Sequence, residues 1–143
     1  MASERSFREI IGVELNPKLV DTAKLNIRRW VSSGRAVCPV KVLCCDETEF
    51  PLPEGPCLVF IYNSFGEPVV RQVAAALGDK VRQGKGPVDI IYQNAEWVTT
   101  ILQESAFQEL WRERLPMTPE DAAADPVSTP EDLTIGLRAS SSL

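Results

Sequence analysis

Two acidic residues stand where apolar segments end, and their placement is the first chemical signal in this sequence. Glu14 lies near the end of the run at 9–15, and Asp46 follows the run at 40–45. Open α/β sheets bind ligands at the carboxyl ends of their strands. Glu14 there can accept hydrogen bonds from both hydroxyls of a ribose, and Asp46 can read the amino group of an adenine. Together they predict an adenosine pocket, whereas each alone fits a solvent-facing strand end or a turn.

A third candidate element is the turn after the most apolar run of the chain, CLVFIY at 57–62. The turn reads Tyr-Asn-Ser-Phe-Gly and begins at Tyr62. Asn63 can orient a substrate, and Phe65 can cover the reacting groups. A purely structural interpretation stays open, since Asn, Ser and Gly are common turn residues.

The absence of histidine excludes several kinds of catalysis. None of the 143 residues is His, so neither a Ser-His-Asp triad nor a Cys-His pair can be assembled. The four cysteines form no CxxC pair, and no metal site is predicted. They are expected to be reduced thiols packed in a cytosolic core. The four are Cys38, Cys44, Cys45 and Cys57.

Charge and hydropathy limit the partners and the compartment. The net charge of −5 argues against a nucleic-acid surface, because phosphate binding needs clustered Lys and Arg. No apolar run approaches the roughly 20 residues that span a bilayer. The polar start at 1–7 lacks the apolar core of a secretory signal. A cytoplasmic protein without a membrane segment is predicted.

Alternating strands and helices must hold the acidic residues in place. Helices are predicted from Asn16, an N-cap followed by Pro, to a stop at Gly34, and again after Gly66. The order of strands and helices predicts an α/β fold with a mostly parallel sheet. The third strand, at 57–62, should lie near the centre of that sheet. The apolar runs that predict strands are 9–15, 40–45, 57–62 and 88–93.

A third helix is predicted beyond the fourth strand. Ser105 and Gln108 have capping-box spacing. Phe107, Leu110 and Trp111 give an apolar face. With this helix, one α/β domain is predicted over 1–116.

The remaining residues, 117–143, differ in character and are predicted to be a Pro-rich, acidic tail. Thr-Pro-Glu-Asp occurs twice, starting at Thr118 and at Thr129. Each copy fits a single helical turn with Thr as N-cap and Pro at the first position. The segment 133–137 is predicted to be a last edge strand.

Three segments together resemble the class I S-adenosylmethionine (SAM)-dependent methyltransferases. The segment 10–20, IIGVELNPKLV, resembles the second strand of that family and the helix after it. Cys45-Asp46 resembles the end of its third strand, and 58–66, LVFIYNSFG, resembles its fourth strand and loop. The resemblance covers roughly 7–94 and implies a Rossmann-like fold and SAM as cofactor.

The resemblance also implies roles for single residues. Glu14 would hold the ribose and Asp46 the adenine. Tyr62, Asn63 and Phe65 would face the methyl-transfer site, without an assigned base. The full set implied for the cofactor is Glu14, Leu15, Asn16, Cys45, Asp46 and Glu47.

One family feature is absent from this sequence. In this family a glycine-rich loop after the first strand wraps the methionine part of SAM. Only 1–6 precede the resemblance here, and the one Gly-x-Gly, at 84–86, ends a predicted helix. In related folds the acidic ribose reader follows such a loop by ~20 residues, which places the loop upstream of Met1. A truncated domain without its first strand and helix is expected, impaired in activity and prone to associate through unpaired strands.

Two alternatives remain open at this stage. One is a non-catalytic interaction module that keeps the Rossmann-like shell, with the tail as a docking segment. The other is a fragment of an NAD-dependent oxidoreductase, since Glu14 serves that ribose equally well. The NAD interpretation leaves Asp46 and the turn after Tyr62 unused. The methyl acceptor is not readable from the residues.

Overall fold

The computed structural model of the chain describes residues 2–62, 65–124 and 131–140. The chain divides into two units, Met1–Pro51 and Leu52–Leu143. Each unit has a sheet of its own, with two strands in the N-terminal unit and four in the C-terminal unit. The α/β class expected from the sequence is confirmed.

The N-terminal unit is a strand-helix-strand motif. A single 3₁₀ turn, Ala2–Glu4, precedes strand β1 (Ile10–Glu14), helix α1 (Pro17–Ser32) and strand β2 (Val40–Cys44). The two strands pair in parallel, as a crossover helix between them requires.

The predicted capping signals define α1. The Asn16 side chain accepts a hydrogen bond from the backbone N–H of Lys18, and Pro17 takes the first helical position. The helix ends at Ser32, and Gly34 adopts a left-handed φ of +73°. The buried side of the helix includes Val20, which is 1% exposed.

The C-terminal unit contains the larger sheet. Its strand order is β3-β4-β6-β5, with β3 and β4 parallel and both pairs that involve β6 antiparallel. Its elements are β3 (Cys57–Tyr62), α2 (Glu67–Arg82), β4 (Val88–Gln93), α3 (Val98–Leu102), β5 (Phe107–Pro116), α4 (Pro119–Ala124) and β6 (Glu131–Ala139).

One face of this sheet forms the main hydrophobic core. Helix α2 contributes a stripe of apolar residues at helical spacing, and the strands contribute every second residue. The core members that are at most 1% exposed are Val70, Leu77, Val88, Ile90, Tyr92, Ile101, Ile135, Leu137 and Ala139. Among the described residues, no helix has both the length and the apolarity to cross a bilayer.

The opposite face of the sheet exposes apolar side chains. On β3, Leu58 is 47% exposed, Phe60 is 61% exposed and Tyr62 is 41% exposed. On β5, the Trp111 indole occupies the space that a Cβ at Gly136 would need. The face is therefore apolar in its middle, where indole and glycine backbone pack together.

Two predictions about strand position are wrong. The third strand, β3, lies at an end of the four-stranded sheet and not near its centre. The strand expected at 133–137 is present, but β6 lies between β4 and β5 and is not an edge strand. Its alternating pattern buries Ile135 and Leu137 completely, because that face packs on the core.

The predicted helix beyond Ser105 is also wrong, because that segment forms β5. The strand is bulged between Glu109 and Trp111. The bulge interrupts the alternation of a strand, so that Phe107, Leu110 and Trp111 imitate helical spacing. The helix that does occur here, α3, precedes Ser105 and was not predicted.

The two Thr-Pro-Glu-Asp copies differ in structure. After Thr118, the short helix α4 begins at Pro119, as the prediction requires. Of the second copy, residues 129 and 130 lie outside the described residues. Glu131 and Asp132 begin β6, so the helical turn expected there is wrong.

Candidate functional site

The parallel pairing of β1 and β2 brings most of the predicted cofactor residues to one end of their sheet. Glu14 lies opposite Cys44 in the strand register. The Cys45 N–H donates to the Glu14 carbonyl oxygen over 3.3 Å. The segments 14–16 and 45–47 therefore leave the sheet side by side, at the carboxyl ends where ligands bind in α/β folds.

Glu14 is half-buried and held by its own chain. Its Oε1 accepts a hydrogen bond from the Asn16 N–H over 2.7 Å. Asn16 in turn accepts from the Lys18 N–H over 3.0 Å, which caps α1. The carboxylate thus has one fixed oxygen at a helix N-terminus, and the other oxygen can accept a further donor.

Asp46 stabilises the turn that follows β2. Its Oδ1 accepts from the backbone N–H of Thr48 over 2.8 Å and from the Thr48 hydroxyl over 2.5 Å. These hydrogen bonds from Thr48 lower the pKa of the Asp46 carboxyl below its usual range, because they favour the ionised form. Asp46 is therefore a turn residue with a carboxylate that stays charged.

Cys44, Cys45 and Leu15 complete this end of the sheet. Leu15 is 61% exposed, and its carbonyl oxygen lies 3.7 Å from the Cys44 sulfur. Cys44 is exposed, Cys45 is half-buried and Cys38 is buried. The expectation of four core thiols is wrong for Cys44, because β2 ends there and its side chain is not covered.

The candidates for the methyl-transfer site lie in the C-terminal unit. Tyr62 ends β3 opposite Gln93 on β4 and is 41% exposed. Phe65 is partly buried and packs against the core of this unit. Asn63 lies outside the described residues.

A second group of polar residues in the C-terminal unit was missed from sequence. Gln93 at the end of β4 donates from Nε2 to Oδ2 of Asp132 over 3.1 Å. Asp132 is 5% exposed and Thr134 is 3% exposed. The sequence does contain a signal for this group. Asp132 and Thr134 alternate with apolar Leu133 and Ile135, and in a strand this alternation places the two polar residues on the face opposite the core.

Comparison with known proteins gives a structural result only. No protein-family model matches the chain, and no curated protein sequence matches it.

Several solved structures share the fold. The N-methyltransferase NodS from Bradyrhizobium japonicum WM9 superposes with a TM-score of 0.58 at 15% identity, over 92% of this chain and 74% of that one. The 23S rRNA methyltransferase ErmE gives 0.58 at 12% identity, over 94% and 53%. The Pyrococcus abyssi tRNA (uracil-54, C5)-methyltransferase, solved with S-adenosyl-L-homocysteine (SAH), gives 0.59 at 14% identity, over 96% and 29%.

The fold is that of the class I SAM-dependent methyltransferases. The chain spans between 29% and 74% of the length of these three structural relatives. Their names refer to different reactions, on nitrogen, on ribosomal RNA and on a transfer RNA uracil. The shared fold therefore does not distinguish between these reactions.

Proposed function

We propose that this chain is the partial catalytic domain of a SAM-dependent methyltransferase, impaired in the form described. The observation that carries the proposal is the end of the β1-β2 sheet, where Glu14 and Asp46 stand at the ends of neighbouring parallel strands. Glu14 would accept from the ribose hydroxyls. Cys45, Asp46 and Glu47 would surround the adenine, and Leu15 and Asn16 would line the entrance.

The residues at this end of the sheet fit the adenosine part of SAM. The Asn16 N–H orients one oxygen of Glu14, and the second oxygen is able to accept a ribose hydroxyl. Asp46 uses Oδ1 for Thr48, so an adenine amino group would be read by its other oxygen or by adjacent backbone. Both carboxylates are acceptors, and sugar hydroxyls and the exocyclic amine are donors.

In methyl transfer the main task of the protein is to align the acceptor with the methyl group of SAM. Bound SAM supplies an activated methyl group on a sulfonium. An acceptor nucleophile would take that methyl group as the carbon–sulfur bond breaks, and SAH would be released as the neutral thioether. Tyr62, which is 41% exposed, is the described residue proposed to orient the acceptor. Alignment within an ångström decides the rate of such a reaction.

The cofactor assignment predicts a ligand preference. Calorimetric titration of the full chain with SAM, SAH and NAD should give binding, even if weak, for SAM and SAH and none for NAD. The reason is that NAD, unlike SAM and SAH, carries an anionic pyrophosphate, which the neighbouring carboxylates of Glu14 and Asp46 would repel. Binding of NAD alone would contradict the proposal.

Glu14 provides a sharper test. In a form extended by a strand and a glycine-rich loop, Glu14→Ala should weaken SAH binding by ~1–3 kcal/mol, the scale of a lost charge-assisted hydrogen bond. The thermal midpoint should change little, because Glu14 ends its strand outside the core. Calorimetry and a melting curve measure both quantities.

Two control variants separate the causes. Glu14→Gln keeps an oxygen for the Asn16 N–H but removes the charge, so an intermediate loss is expected. Glu9→Ala removes a carboxylate beside the opposite end of β1, where it pairs with Lys41 over 2.8 Å, and should leave SAH affinity unchanged. Equal affinity of Glu14→Ala and the unmodified protein would retire the ribose assignment.

A second candidate function is a non-catalytic interaction module. The exposure of Leu58 (47%) and Phe60 (61%) on β3 supports it, since a contiguous apolar patch is characteristic of an interaction surface. The titrations above distinguish it, because a chain that binds none of the three nucleotide ligands would favour the module over the enzyme.

A further inference from the structure

The polar cluster of Gln93, Asp132 and Thr134 lies at the carboxyl end of β3 and β4, within the C-terminal unit. The register pairs Tyr62 with Gln93 and Gln93 with Thr134. Tyr62, Gln93 and Thr134 therefore share one face of the sheet. Asp132 precedes Thr134 by two residues on β6 and shares that face as well. This is the face opposite the core helices.

Thr134 is the unusual member of the cluster. Its side chain is 3% exposed, and its hydroxyl has no hydrogen-bond partner among the described residues. A buried hydroxyl without a partner is costly, because it has lost its hydrogen bonds to water and gained none in return. Such a group in a folded protein calls for an explanation, and a bound water, ion or ligand is one that would complete its hydrogen bonding.

Asp132 gives the site its charge. It is 5% exposed, and its described hydrogen bond comes from the neutral Gln93 amide over 3.1 Å. Glu113 on β5 lies opposite Thr134 in the register and adds a second acidic residue to this face of the sheet. The nearest arginine of this face on β6 is Arg138, four residues along the strand, and it is held by Asp89.

This chemistry selects the class of ligand. Two carboxylates disfavour an anion, and a carboxylate together with an unpartnered hydroxyl offers acceptors to an N–H donor. We infer that Gln93, Asp132 and Thr134 form a subsite for an amine-bearing ligand. Tyr62, which is 41% exposed, borders the subsite on β3. The amine subsite itself is independent of the proposed function; the further step, that the bound amine is the methyl acceptor, rests on it.

The inference is tested by nuclear magnetic resonance on the ¹⁵N-labelled full chain, with ethylamine as the probe. Saturable shifts are expected at the Gln93 side-chain amide and at the Thr134 backbone amide. Sodium acetate and 1-propanol, as anion and neutral controls, should produce neither. A trapped water in place of a ligand would give no ethylamine response, and that result would overturn the inference.

Variants identify the residues that bind. Asp132→Asn should weaken ethylamine binding about 10-fold or more, through loss of a charge-assisted hydrogen bond. Asp89→Asn is the matched control, because it removes a carboxylate from the same face at the opposite end of β4. Equal binding by these two variants would overturn the subsite.

Thr134→Val supplies a readout that does not depend on Asp132. Because the hydroxyl is unpaired, its removal should raise the thermal midpoint of the ligand-free protein by about 2–6 °C and weaken ethylamine binding. A lower midpoint would mean that the hydroxyl stabilises the fold, and would overturn the inference.

An SAH titration of the same samples separates this inference from the proposed function. SAH binding without ethylamine binding rejects the amine subsite and leaves the methyltransferase proposal standing. Ethylamine binding without SAH binding supports the subsite and counts against the methyltransferase.

Discussion

Purified chain 1–143 should turn over SAM at least about 100-fold more slowly than the ~1 s⁻¹ at the low end of ordinary enzymes. In the family that the chain resembles, backbone amides of a glycine-rich loop hold the methionine part of SAM. No Gly-x-Gly precedes β1 in this sequence. Without those donors the methyl group is not aimed, and misplacement by ~1 Å can cost about 100-fold in rate.

The strand edges give a second reason for the low rate. β1 pairs only with β2, and β3 only with β4, among the described strands. Each therefore has an edge whose backbone groups lack a described strand partner, and β3 also exposes Phe60. Such edges favour association between copies of a chain. We expect oligomers or aggregates alongside the low turnover.

The experiment measures SAH formation together with size-exclusion chromatography. The comparison is a form extended by a strand, a Gly-x-Gly loop and a helix ahead of residue 1, which should elute as a monomer and bind SAH more tightly, because the loop supplies backbone donors to the methionine part. SAH binding needs no acceptor. It therefore distinguishes a low rate that is caused by a defective cofactor site from a low rate that is caused by the wrong acceptor in the assay. A monomeric, cooperatively folding 1–143 with an ordinary turnover number would refute the prediction.

Local signals explain which parts of the fold could be predicted. The helix α1 is specified by Asn16, Pro17 and Gly34, and the structure has the cap and the left-handed glycine at those positions. Capping depends on neighbours within a few residues, so sequence alone is sufficient. The meeting of 14–16 with 45–47 was predictable for a similar reason, since parallel strands joined by a helix end at the same edge.

Long-range pairing explains the errors. β5 is a strand because Phe107 to Pro116 pair with β6, and the residues Phe107 and Ala139 face each other across 32 positions of sequence. Nothing close in sequence to β5 indicates a strand, and the bulge at Leu110 gives its apolar residues a helix-like spacing. The central place of β6 likewise depends on both of its neighbours. Tertiary pairing overrode local preference in each case.

The polar subsite was missed for the same physical reason. Gln93 and Asp132 are 39 residues apart in sequence, and neither stands in a motif. Only the register of β4 and β6 brings them within hydrogen-bonding distance. A buried Asp such as Asp132 therefore indicates a polar cluster only once the neighbouring strand, here β4, and its register are known.

Gly86→Ala should destabilise the C-terminal unit more than any exposed substitution, by about 3–5 kcal/mol. Gly86 has a φ of +106°, which side-chain-bearing residues rarely adopt. A Cβ added there would lie 2.5 Å from the carbonyl carbon and 2.6 Å from the carbonyl oxygen of Gly55. The second glycine of the Gly-x-Gly at 84–86 thus permits the loop before β4 to contact the loop that contains Gly55.

The Gly55 backbone cannot easily move away from such a Cβ. Its N–H donates to the Lys85 carbonyl oxygen over 2.8 Å. The ammonium of Lys80, which is 3% exposed, donates to the carbonyl oxygens of Gly55 over 2.7 Å and of Lys85 over 2.5 Å. These bonds tie the loops before β3 and β4 together, and breaking them would leave buried polar groups unpaired.

Gly84→Ala is the matched control for Gly86→Ala. Gly84 also has a left-handed φ, +70°, but a Cβ there would meet nothing within 4 Å. That variant should lose only the conformational cost, about 1–2 kcal/mol. Chemical denaturation of the three proteins measures the free energies of unfolding, and their difference isolates the contact with Gly55. If the two alanine variants lose the same stability, the backbone of Gly55 does not restrict residue 86, and the loop contact is wrong.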